Sequence, residues 1–252
     1  MKQAAAQLLR FTLVVLVAVH GAVARGAAGD TDIDDIAVRL QFAYYTADVR
    51  AMQEAIDILA HSAQPSELAA MRDYYLAYGQ WKLAEILTVT DKRKSASAAR
   101  SCEMAAQTAA AGVAHPEEAF ALQAACSEAQ HGLDITGKSA KLMQKALMLG
   151  AKNPRVLLID ALRVDAQHAD GKAAVGAERC TGLQNVVQSF EAMPAAKPGE
   201  ADWGYAEALA RLARCMMNAG DHVGARNALE KSLIVAPDYR WARELLRANN
   251  AS

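Results

Sequence analysis

Apolar positions follow two regimes along this chain. From Phe11 to Val19 (FTLVVLVAV) every position except Thr12 is apolar, and no other stretch approaches that run. Beyond it, apolar and polar residues intermix without the alternation of β-branched residues that marks strands, so the pattern predicts helices. These are 33–46, 49–62, 66–88, 95–111, 117–131, 138–149, 154–168, 172–192, 201–218, 222–235 and 238–248. Proline marks most of the breaks, at Gln64-Pro65-Ser66, His115-Pro116, Asn153-Pro154, Met193-Pro194 through Pro198-Gly199, and Pro237-Asp238. Its ring ends one helix or opens the next.

The predicted class is therefore all-α. Ala, Leu, Met, Glu, Gln and Lys are abundant and aromatics few, a composition that favours helices and lets them pack closely. Prolines 116, 154, 194 and 237 recur at intervals of 38, 40 and 43 residues, a loose period in the order of a repeat protein rather than a closed bundle.

The early apolar run changes the expected compartment. Lys2 and Arg10 precede it and Ala22-Val23-Ala24 follows, the layout of a Sec-type signal peptide cleaved after Ala24 or Ala28. The run is shorter than the roughly 20 residues of a spanning helix, and no lipoprotein cysteine follows it. The expected domains are thus a signal peptide over 1–28 and one helical domain over 29–252, periplasmic or extracellular, with no stable membrane insertion after cleavage. Without the leader, 24 basic residues face 28 acidic ones, a net charge of −4 that gives no reason to expect a nucleic-acid partner. Asp30, Asp32 and Asp34 resemble the start of a calcium loop. Asp35 stands where that loop needs Gly, however, and Gln41 where it needs Glu, so an acidic helix N-terminus is the better reading.

In an exported chain the four cysteines become candidate staples. The midpoint of Cys102 and Cys126 falls on Ala114, in the turn before Pro116, and that of Cys180 and Cys215 falls between Lys197 and Pro198. Residues equidistant from the turn of a helical hairpin face each other at one height. Alanines 98, 99, 105, 106, 109, 121, 124 and 125 would allow the approach that a disulfide needs, within about 4.4–6.8 Å between Cα atoms. Pairings 102–126 and 180–215 are favoured over the other two pairings and over four buried free thiols; no zinc-type spacing is present.

From Ala206 to Pro237 the sequence AEALARLARCMMNAGDHVGARNALEKSLIVAP carries small residues at Ala213, Ala225 and Ser232, seam leucines at Leu209, Leu212 and Leu229, Gly220-Asp221 at a turn, and a closing Pro237. It resembles a tetratricopeptide repeat. Asp238 to Asn249, with Arg240, Arg243 and Arg247 on one side, resembles the polar cap such a stack requires. Segments ending at Leu149 and Ala63 look like earlier, looser units. The resemblance implies a tetratricopeptide-like superhelix, with an irregular α-α solenoid as the alternative, and a concave groove lined by first helices. In the matched unit those positions are Glu207, Ala210, Arg214, Met217 and Asn218. The family's carboxylate clamp needs Lys and Asn where this chain has Ala210 and Arg214. Each proposed disulfide would join the second helix of one unit to the first of the next.

A second candidate surface is aromatic. Tyr74, Tyr78 and Trp81 share one face of helix 66–88, with Tyr75 beside them; the core of that helix is the favoured reading and a groove the alternative. Lys92, Arg93 and Lys94 read as a solvated turn, and Glu117 and Glu118 as partners of a helix dipole. The chain contains no GxSxG, HExxH, P-loop or CxxCH motif, and His61, His115, His131, His168 and His222 fall mostly at helix ends. The expectation is an exported, non-enzymatic scaffold without a cofactor. It would bind a protein or peptide, in keeping with the resemblance; the alternatives are a glycan- or small-molecule-binding solenoid and a helical subunit of an enzyme complex.

Overall fold

The computed structural model describes residues 32–62, 66–132, 137–168 and 180–251. The proposed signal peptide, Asp30 and the first part of predicted helix 172–192 lie outside the described residues. Within them the chain is all-helical: α1 (Ile33–Thr46), α2 (Val49–His61), α3 (Ser66–Leu87), α4 (Lys92–Ala109), α5 (Pro116–His131), α6 (Lys138–Leu149), α7 (Pro154–His168), α8 (Thr181–Ala192), α9 (Tyr205–Asn218), α10 (His222–Val235) and α11 (Arg240–Asn250). No described helix is long and apolar enough to cross a membrane.

Local chemistry sets the helix starts. The side chains of Asp32, Asp48, Asp91 and Asp221 accept from the backbone N–H groups of Asp34, Ala51, Lys94 and Gly224 at 2.8–3.0 Å, and Pro116 and Pro154 open α5 and α7. Of the starts that differ from expectation, those of α4 and α9 have a clear local cause. The Asp91 cap places Lys92, Arg93 and Lys94 in the first turn of α4 rather than in a loop. Residues 201–204 are not helical, because Gly204 adopts φ +107° where any Cβ would stand 2.7 Å from Phe190 Cζ.

Every helix packs on its successor, and α1, α3, α5 and α7 also pack on one another as alternate helices, as do α9 and α11. The stack curls until its ends meet: α11 touches α1, with the Tyr239 ring 4.7 Å from that of Tyr45 and 6.0 Å from that of Tyr44. Small residues bring the layers close. At Gly79 of α3 a Cβ would lie 2.9 Å from Leu40 and 3.0 Å from Ile56. The seam between α4 and α5 is built from buried alanines around Cys102 and Cys126. Both cysteine pairs stand at disulfide distance, 102–126 joining α4 to α5 and 180–215 joining the start of α8 to α9, each with Cα atoms 5.7 Å apart.

Candidate functional site

The inner face of the curl is where the predicted groove residues belong, and the chain's own C-terminal unit fills it. The 22-residue helix α3 is surrounded by α1, α2, α4, α5 and the segment leading into α9, so its apolar residues point in every direction. Tyr74, Tyr75 and Tyr78 are at most 2% exposed and Trp81 is 7% exposed. Trp203 covers them, stacked on Tyr78 with ring centroids 4.9 Å apart and edge-on to Trp81 at 6.0 Å. Tyr74 and Tyr78 therefore line no open groove.

Residues 199–204 are held largely through their main chain. Arg155 donates from Nε to the Trp203 carbonyl at 3.2 Å and from Nη2 to that of Ala201. Tyr75 donates to the Glu200 carbonyl at 3.2 Å, and the Gly199 N–H donates to the Asp34 carboxylate. Trp203 Nε1 donates to the Tyr74 hydroxyl at 2.8 Å, which in turn donates to Glu118 Oε2 at 2.5 Å. The other Glu118 oxygen accepts from Arg155 at 3.1 Å and Asn153 at 2.8 Å. Glu118, expected to do no more than complement a helix dipole, is thus the hub of a buried network. Burial and Glu118 together raise the Tyr74 hydroxyl far above the ordinary tyrosine range, so it stays a donor.

A second network lies about two turns along α3, from Tyr74 to Lys82. Lys82 Nζ, fully buried, donates to Glu207 Oε2 at 2.7 Å and Glu85 Oε2 at 3.1 Å. Arg211 Nη2 reaches Glu85 Oε1 at 2.5 Å and Glu207 Oε1 at 3.0 Å, and Tyr44 donates to Glu207 Oε1 at 3.0 Å. Burial alone would raise the Glu85 carboxyl, but Lys82 and Arg211 outweigh it and hold it at about 2. Glu207, expected to face a groove, is 2% exposed and instead binds α9 to α3. No motif in the sequence singled out Lys82, Glu85, Arg155 or Arg211; the one signal it held was the four-residue spacing that puts Lys82 on the face of the aromatic Tyr78.

Of the expected groove residues, Trp81 and Arg214 meet at one cavity of about 380 Å³ between α3, α5, α7 and α9. Ala210 is fully buried, Met217 is half-buried against the core, and Asn218 is exposed at the end of α9. The cavity's charges are engaged, Arg163 with Glu128 at 2.7 Å, Arg211 with Glu85, and Arg214 over the Trp241 ring at 5.5 Å. Two wider depressions open elsewhere. One of about 960 Å³ runs between α2 and α4 over α3, and one of about 720 Å³ lies where the starts of α5 and α7 face residues 193–201. Among the described residues no group of acidic, His and Cys side chains is placed to hold a metal ion. No protein-family model matches the chain, and no curated protein matches it.

Proposed function

We propose that the protein is an exported, non-enzymatic scaffold of tetratricopeptide type that binds another polypeptide, in cell-envelope assembly or secretion. The observation that carries the reading is the packing order. Successive helices pair, and α1, α3, α5 and α7 stack as alternate helices, as two-helix units do in a solenoid, with a depression of about 960 Å³ between α2 and α4. The leader-like residues 1–28 and the two cysteine pairs at disulfide distance agree with an oxidising compartment. A peptide reading is preferred to a glycan reading because the aromatic rings that would stack on sugars lie in the core, under Trp203.

The test is site-specific photocrosslinking in the exporting cell. A photoreactive residue replaces, one at a time, Arg50 in the α2–α4 depression, Arg163 in the inner cavity and Lys197 beside the 720 Å³ cleft. The proposal predicts a discrete polypeptide adduct from at least one of them. It fails if none of the three yields one.

A further inference from the structure

The cleft between α5, α7 and residues 193–201 differs from the other depressions in its backbone. The α2–α4 depression is walled by helices, whose main chain is satisfied internally, and it carries both charge signs in Arg50, Lys94, Glu54 and Asp57. One wall of the cleft, by contrast, is non-helical chain. Met193 leaves α8 at φ −77° and ψ 137°, and Pro194 and Pro198 bias the residues before them toward extended backbone. Neither Ala195 nor Ala196 uses its main-chain N–H or C=O in a hydrogen bond within the described residues. Both alanines line the cleft, so their unbonded donors and acceptors are open to pairing with a bound chain.

The opposite wall is apolar and uncovered. Met148 is 79% exposed and Leu149 56% exposed at the end of α6, facing the half-buried Met193. The charges at the rim are of unequal standing. Glu117 accepts from Asn153 and His115, and Glu200 accepts from the Lys197 N–H, whereas the Lys152 and Lys197 ammonium groups make no ion pair with the described residues. The open edge, the apolar wall and the two unpaired cations describe a receptor for extended peptide, and about 720 Å³ lies within the range of ligand clefts.

Resting on the polypeptide-binding reading above, we infer that this cleft takes a short extended segment of the partner. That segment pairs its main chain with Ala195 or Ala196, lays apolar side chains against Met148 and Leu149, and sets acidic side chains beside Lys152 and Lys197. Pro194 and Pro198 confine the pairing to the residues between them, which keeps the edge from templating longer sheets.

The probe is a fluorescent peptide of sequence Glu-Leu-Val-Leu-Glu, capped at both ends and titrated into the oxidised full-length protein by anisotropy. The expected result is saturable binding, weakened about tenfold or more by Met148→Glu, by Ala195→Pro with Ala196→Pro, and by Lys152→Glu with Lys197→Glu. Replacing both glutamates of the probe by lysine weakens binding to the native protein and restores it to the Lys152→Glu/Lys197→Glu variant. These positions are exposed or lack main-chain bonds, so urea midpoints unchanged from the native protein show that lost binding is not lost folding. Absence of saturable binding, or binding indifferent to all three sets of substitutions, overturns the inference. If binding is absent while photocrosslinking captures a partner from Arg50 or Arg163, the cleft assignment fails and the scaffold reading stands.

Discussion

Replacing Lys82 by methionine keeps the length and apolar stem of the side chain and deletes its charge, leaving Glu207 buried with one cation fewer. Lys82 and Glu207 are 0% and 2% exposed, so solvent screens their 2.7 Å contact little. With an effective dielectric near 20, Coulomb's law gives the contact about 6 kcal/mol of attraction, which the desolvation of both groups largely offsets. Removing one partner loses the attraction but not the cost of burying the other. Lys82→Met should therefore destabilise by about 3–5 kcal/mol. At about 2–4 °C per kcal/mol for a domain of this size, the melting temperature falls by about 6–20 °C. Adding Glu207→Gln removes the stranded charge, while Arg211 keeps its contact with Glu85, so the double variant should recover at least half of the loss. Urea unfolding of the four proteins of this cycle, oxidised and at neutral pH, supplies the numbers. A Lys82→Met cost below about 1 kcal/mol, or strictly additive effects, would refute the reasoning that this network closes α9 onto α3.

Other consequences follow from single contacts. Gly204→Ala meets both a positive φ and the Phe190 ring, and should cost about 1–3 kcal/mol in urea unfolding, whereas Gly182→Ala, with nothing near its Cβ position, should cost little. Glu85 has its carboxyl depressed to about 2, so its stabilising contribution is complete above the ordinary carboxylate range and is lost as pH falls from about 4 toward 2. Melting temperatures measured across that window should fall less in Glu85→Gln than in the native protein; because the side chain is one-third exposed, the difference should be modest. The two cysteine pairs close loops of 24 and 35 residues, for which chain entropy gives about 3–4 kcal/mol each. Replacing either pair by serine should lower the urea midpoint, and a pair whose loss leaves it unchanged contributes no constraint.

Much of the helical order was legible in the sequence. Helices α6, α7 and α10 begin and end at the expected residues, because Pro154 and Asp221 punctuate two of their starts locally. The cysteine pairing was legible because symmetry about a turn is a property of sequence spacing alone. Closure of the curl was not. Glu207, Arg211, Lys82 and Glu118 each look like ordinary polar helix positions; a contact across 125 positions buries Lys82 and Glu207, and partners 35–44 positions away engage Glu118. That contact turned Glu207 from a candidate groove position into core, whereas Tyr74 and Tyr78, under Trp203, lie in the core that was the favoured reading of their stripe. The displaced start of α9 was hidden for a related reason: Gly204 is needed because Phe190 and Leu158 crowd it, and neither is its neighbour in sequence.

The most direct test of an exported, doubly stapled scaffold is non-reducing peptide mapping by mass spectrometry on protein recovered from its native compartment, with free thiols alkylated before digestion. Peptides linking Cys102 to Cys126 and Cys180 to Cys215, together with a mature N-terminus near residue 25 or 29, are the predicted result. Four alkylated cysteines on a chain that still begins at Met1 would contradict it.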